Sequence, residues 1–272
     1  YFDYDHEYNF RDRDVLLIGG ITGEIENSFN TFWNSPISVN VTAMLDTSKY
    51  NINAPARFEQ LHQYACNPEN FWPQVREKIR TIPRAFKDIQ TSGALQWVDR
   101  VVFVSDEPGK NDGTHGLSGG GNTTTALLKL VKEAKASVVI QSPYLVTTDL
   151  GKQLFKDAVD RNVSVKVMTN SLASTDNLQA FSGYQRDREA LLKTGIKIYE
   201  YKPNAPVRYK LMTGALQKKV NYTPIFGLHA KTMVIDGKIT VIGTFNLDPR
   251  SANLNTECVT IIYSEKIAQE VL

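Results

Sequence analysis

From residue 123 to residue 201 the chain alternates between helix-patterned stretches of ten or more residues and short β-branched runs, and this alternation limits the fold more than any other feature. Helices are expected over 123–136, 151–161 and 183–194, with strands over 137–141, 163–169 and 196–201. Strands separated by segments of that length must be joined by crossovers. An α/β fold with a mainly parallel sheet and helices on its faces follows. Beyond it, residues 228–235 and 238–243 read as a hairpin turning at Asp236-Gly237.

The first half is patterned less cleanly. Residues 14–20 form a short apolar run ending in Gly19-Gly20, which reads as a buried strand. Ile21, Ile25, Phe29, Phe32 and Trp33 then recur at helical spacing, with Thr22 as a candidate N-cap and Ser35-Pro36 as a stop. Residues 54–66 and 73–89 look helical, and 95–104 ends in a run suited to a buried strand. Residues 106–122 carry six glycines, so they are the expected boundary between a domain over 1–118 and another over 119–272. The end of that loop, Ser118-Gly119-Gly120-Gly121-Asn122, lacks the spacing of a phosphate loop and reads as a linker.

At 272 residues the chain can form one large domain or two packed lobes. Hydrophobic content of 42% and charged content of 22% exclude disordered and collagen-like classes. Cys66 and Cys258 lie far apart, match no zinc or redox spacing and are read as core residues. The apolar runs are too short to cross a bilayer as helices, so membrane contact is expected to be peripheral. His6, His62 and His115 have no partner spacing for metal or triad chemistry and are read as incidental.

Chemistry gathers at His229-Ala230-Lys231-Thr232-Met233-Val234-Ile235-Asp236, followed by Gly243-Thr244-Phe245-Asn246. On a strand, His229 and Lys231 project from one face. Imidazole can attack phosphorus or protonate a leaving oxygen, while the ammonium offsets charge on the non-bridging oxygens. The Asn246 amide could donate to the same phosphate, which makes an anion site that needs no metal or cofactor. A lone His-Lys pair is usually an exposed pair and Asp-Gly is usually just a turn. Their fixed spacing, joined to Gly-Thr-Phe-Asn, favours the chemical reading.

The pattern His229-x-Lys231-x-x-x-x-Asp236 with Asn246 resembles the HKD signature of the phospholipase D superfamily. Asn246-Leu247-Asp248-Pro249-Arg250-Ser251, Leu254-Asn255-Thr256-Glu257, Ser142-Pro143-Tyr144, Thr169-Asn170-Ser171-Leu172-Ala173 with Asp176, and Gly183-Tyr184 resemble its cardiolipin synthase and bacterial phospholipase D branch. Tyr1-Phe2-Asp3, Asp12-Arg13-Asp14-Val15 and Phe29-Asn30-Thr31-Phe32-Trp33 resemble the continuation of a first HKD motif, which is expected just before Tyr1. The resemblance implies two similar α-β-α lobes with mixed sheets, the N-terminal lobe here being incomplete. It also implies a two-step reaction through a phosphohistidine, with a second histidine as general acid/base.

Carried onto this chain, His229 is expected as the acid/base partner, Lys231 and Asn246 as the phosphate clamp, and Glu257 as the carboxylate that orients a histidine ring. Asp236, Gly243, Asp248, Arg250 and Ser251 are expected to be structural. Tyr144, Asn170, Arg208 and Lys210 are expected to contact substrate. Residues 201–235 contain no Asp or Glu but several Lys and Arg, which suits an anionic surface.

The leading expectation is therefore a phosphatidyl transferase or phosphodiesterase acting on phospholipid headgroups, peripheral to a bacterial inner membrane. A small alcohol or second phospholipid would be the acceptor, and an upstream segment or a second copy of the chain would supply the other HKD motif. A nucleic-acid partner is not expected. A phospholipase D-type endonuclease is the alternative, and a catalytically incomplete fragment that binds phosphate or anionic lipid is the third reading.

Overall fold

The computed structural model describes residues 8–44, 54–71, 73–111, 118–204 and 225–272. In chain order the elements are β1 (Tyr8–Arg11), α1 (Ile21–Trp33), α2 (Val41–Met44), α3 (Ala54–Cys66), α4 (Pro73–Thr91), β2 (Val101–Ser105), α5 (Asn122–Glu133), β3 (Ser137–Gln141), α6 (Asp149–Asp160), β4 (Ser164–Asn170), α7 (Leu178–Lys193) and β5 (Lys197–Tyr201). They are followed by β6 (Ile225–Leu228), β7 (Thr232–Ile235), β8 (Ile239–Gly243), α8 (Pro249–Asn253), β9 (Cys258–Tyr263) and α9 (Glu265–Val271).

Seven strands form one mixed sheet in the order β2-β9-β8-β7-β3-β4-β5. The alternating region supplies the parallel part, β3 to β4 to β5, while β7, β8, β9 and β2 add antiparallel strands on the other side of β3. The core lies where α5, α6 and α7 cover this sheet. Leu127, Val131, Phe155, Ala158 and Leu191 pack with Val138, Ile140, Val165, Val167 and Ile196. Each of these Val, Leu, Ile and Phe side chains removed from water contributes about 1.5–3 kcal/mol. The helices begin where the sequence caps them: Thr148 accepts from the Gly151 N–H, and Asn177 from the Ala180 N–H.

Two expectations about the first half change. Residues 14–20 form no strand; the backbone there is irregular and Leu16 is 56% exposed. The strand is instead β1, whose parallel partner is β6. The seven-stranded sheet also draws on both sides of the 118/119 division, because β2 pairs along its whole length with β9. The glycine-rich loop connects two parts of one sheet rather than two sheets.

That loop is anchored by a buried ion pair. Lys110 Nζ donates to Asp106 Oδ2 at 2.7 Å and to the carbonyls of Ser251 at 2.7 Å and Asn255 at 2.9 Å. Asp106 also accepts from the N–H groups of Thr123 and Glu257, both at 2.9 Å. A Cβ on Gly121 would lie 2.5 Å from Asp106 Oδ1, so glycine is needed there for close approach.

Candidate active site

The register between β1 and β6 builds the site. Arg11 lies opposite Leu228, so the next residues along both strands are Asp12 and His229. The strand pairing ends there, with the N–H groups of His229 and Ala230 both donating to the Arg11 carbonyl at 2.8 and 3.1 Å. His229 and Lys231 therefore occupy a short break between β6 and β7, not the interior of a hairpin strand as the sequence suggested. Asn170 fixes the strand just before the break. Its Oδ1 accepts from the Leu228 N–H at 2.8 Å, and its Nδ2 donates to the Leu228 carbonyl at 2.8 Å.

In the break, the His229 ring is held at both nitrogens. Nδ1 lies 2.6 Å from Asp12 Oδ2 and Nε2 lies 3.0 Å from Lys231 Nζ. An ammonium can only donate, so Nε2 is the acceptor and Nδ1 carries the hydrogen donated to Asp12. Lys231 also donates to the His229 carbonyl at 2.6 Å, and the Phe10 ring meets the imidazole edge-on at 5.1 Å.

The electrostatics follow from this packing. Burial pushes the Asp12 carboxyl upward, but the hydrogen bond from His229, the Arg13 N–H and the charges of His229 and Lys231 outweigh it and hold Asp12 below its ordinary value. Burial is the main influence on the Lys231 ammonium and lowers it, opposed by Asp12, Glu257, Asp176 and Asp248. Those carboxylates thus lie within electrostatic reach of Lys231. Tyr144 is pushed up to about 12 by burial and by Asp176, to which its hydroxyl donates at 3.2 Å.

The other motif residues sort by position. Asn246 follows β8 and is tied by its N–H to Ser251 Oγ at 3.2 Å, while its Oδ1 is buried with no partner among the described residues. Its neighbours Phe245 and Leu247 line a small cavity together with Lys231, Met233 and Val241. Asp248 caps α8 by accepting from the Ser251 N–H at 2.8 Å. Arg250 is exposed, and its carbonyl accepts from Leu254 and Asn255. Asp236, at the β7–β8 turn with φ 53°, accepts from the N–H groups of Lys135, Ala136 and Ser137. Gly243 is where β8 meets β9, and an added Cβ would lie 2.2 Å from the Cys258 carbonyl.

The remaining expected residues lie as follows. The Glu257 carboxylate accepts from Thr244 Oγ1, and the carboxylate that orients the His229 ring is Asp12. Asn170 is 2% exposed with its amide committed to backbone and Ser174, so it positions β6 rather than meeting a ligand. Arg208 and Lys210, with most of the basic run, lie outside the described residues. Asp12 was present in the sequence within Asp12-Arg13-Asp14-Val15, but only the β1–β6 register reveals that it faces His229.

The family model described as "Cardiolipin synthase, PLD-like domain" matches residues 127–272, just over half of the chain. An uncharacterised Helicobacter pylori protein is 30% identical over 271 residues, which is all of this chain and 51% of that protein. Cardiolipin synthase C of Escherichia coli is 30% identical over 280 residues, covering 99% of this chain and 54% of the relative. The chain thus spans about half the length of these curated relatives. Among solved structures, phosphatidylserine synthase from Haemophilus influenzae is similar at 14% identity and a TM-score of 0.44, over 72% of this chain and 44% of that one. With the match reaching from α5 to the C-terminus and including His229, Lys231 and Asn246, the chain belongs to the phospholipase D superfamily.

Proposed function

We propose that this chain carries one half of the active site of a cardiolipin synthase-like phosphatidyl transferase or phosphodiesterase. The observation that carries the proposal is the His229 imidazole, held at Nδ1 by Asp12 and at Nε2 by Lys231. In this reading a phosphate oxygen takes over the Lys231 hydrogen bond, and Nε2 becomes free to exchange a proton with the reacting oxygen. Asn246 completes the clamp, and Tyr144 borders the headgroup.

The second histidine comes from an upstream segment or a second copy. It attacks phosphorus, the bond from phosphorus to the headgroup oxygen breaks, and His229 in its protonated form delivers a proton to that oxygen. An incoming alcohol or water then loses its proton to His229 and attacks phosphorus, breaking the phosphorus–nitrogen bond. The Asp12 carboxylate supports the imidazolium that this cycle requires.

Phospholipid turnover and DNA cleavage measured side by side test the reading in a form of the protein that has the second histidine. Turnover of phospholipid, lost by roughly 10³-fold or more in His229→Ala, is expected. DNA cleavage with no lipid turnover would overturn it in favour of the endonuclease reading.

A further inference from the structure

Large apolar side chains stand in water on α3 and α4. On α3, Phe58, Leu61 and Tyr64 are 72%, 64% and 57% exposed; on α4, Ile79, Ile82 and Phe86 are 45%, 63% and 48% exposed. Their spacing along each helix puts them on one face. The turn between the helices is pinned at several points: Asn70 Nδ2 donates to the Tyr64 carbonyl at 2.8 Å, Arg76 Nε donates to the Phe71 carbonyl at 2.9 Å, and Tyr64 and Phe71 rings meet at 6.4 Å. The two apolar faces are thus carried on one linked unit.

Charge indicates the occupant. The α4 sequence holds five basic residues against two acidic ones, and Arg80, Arg84 and Lys87 are exposed on the polar face, turned away from the apolar stripe. The α1 helix offers a contrast, because it also displays Phe29 and Trp33 but contains Glu24 and Glu26 and no basic residue. An apolar face backed by a cationic polar face is the pattern of a helix lying in the interface of an anionic bilayer.

We propose that α3 and α4 are a membrane-docking element that seats this chain on anionic phospholipid. Ile82 and Phe86 enter the acyl boundary, and Arg80, Arg84 and Lys87 meet the headgroup phosphates. The inference deepens the lipid-substrate reading and rests on it for its purpose, since it names the surface at which that site works. Docking itself requires no turnover.

Flotation of the 272-residue chain with vesicles tests this directly. Binding to phosphatidylcholine vesicles containing phosphatidylglycerol is expected, weaker on phosphatidylcholine alone and weaker in high salt. Ile82→Glu with Phe86→Glu is expected to reduce binding about tenfold or more while circular dichroism and Tm stay unchanged. Arg80→Gln with Arg84→Gln should remove the preference for anionic vesicles.

Equal vesicle binding by the Glu variant and the parent, or none by the parent, overturns the proposal. So does a parent dimer that the Glu variant turns into a monomer without altering vesicle binding, which would assign the face to self-association. A water-soluble short-chain phospholipid, assayed separately in the form that has the second histidine, keeps the two readings apart. Docking without turnover sinks only the reaction, and turnover without docking sinks only the membrane element.

Discussion

At the scale of single residues, the arrangement around His229 turns on Asp12, a carboxylate 217 positions away in sequence. Asp12→Asn keeps the shape but removes the charge that fixes the Nδ1–H tautomer. In the form that has the second histidine, the proposed reaction is expected to lose about 10²–10⁴-fold in kcat with KM little changed, and partial recovery in Asp12→Glu would separate positioning from mere packing. Nitrogen NMR of the ring should report the Nδ1–H form in the parent and a mixture in Asp12→Asn; an unchanged tautomer would refute the assignment. The pH dependence has a definite sign. Because the Asp12 carboxyl is lowered from 3.8, its stabilising contribution is fully present above that value and is lost as pH falls through the lower folded value. That His229 and Lys231 meet was legible because both stand in one short segment. Asp12 was not, since strand register between distant segments leaves no mark on sequence. Nor could the sequence show that the Glu257 N–H is bound to Asp106 and its carboxylate to Thr244.

Among the elements, the β7–β8 hairpin shows how the motif's aspartate serves as scaffold. Asp236 takes a left-handed backbone, and its carboxylate gathers the three N–H groups that open β3, the central partner of β7. Asp236→Ala strands those donors and places a less tolerant residue at positive φ. Urea unfolding should show a loss of about 2 kcal/mol, whereas Asp236→Asn, which keeps an acceptor and tolerates the conformation, should lose less. Gly243→Ala is expected to cost more, about 2–4 kcal/mol, because the Cys258 carbonyl occupies the position of the new methyl. The strands β3 and β4 were readable because every second residue is buried, Val138 and Ile140 on β3 and Val165 and Val167 on β4, and β5 followed the same spacing from the buried Ile196 to the half-buried Ile198. The run at 14–20 misled because four consecutive apolar residues look the same in sequence whether or not a strand is there to pair with them.

For the molecule as a whole, the pairing of β2 with β9 and the ion pair of Asp106 with Lys110 decide whether the site holds together. The two side chains are 0% and 2% exposed, and Lys110 reaches across to the carbonyls of Ser251 and Asn255. The segment bearing Asn246, Asp248 and Glu257 is therefore anchored to a loop whose glycines read, in sequence, only as a linker. An i,i+4 pair inside such a loop gives no periodic signal, so its burial became apparent only in three dimensions. Removing one partner leaves the other charge uncompensated in the interior, which costs far more than the pair itself contributes. Lys110→Met should lower stability by about 3–5 kcal/mol, read as a fall in Tm and in the urea midpoint. The acid limb should move as well. Burial raises the Asp106 carboxyl, and the hydrogen bonds from Lys110, Thr123 and Glu257 more than offset that, so the parent keeps its stabilisation above 3.8 and loses it as pH falls through the lower folded value. Without Lys110 the folded value rises, and acid unfolding should begin at a higher pH than in the parent. If acid unfolding of Lys110→Met instead coincides with that of the parent, the ion pair is not what binds the 251–257 segment to the sheet.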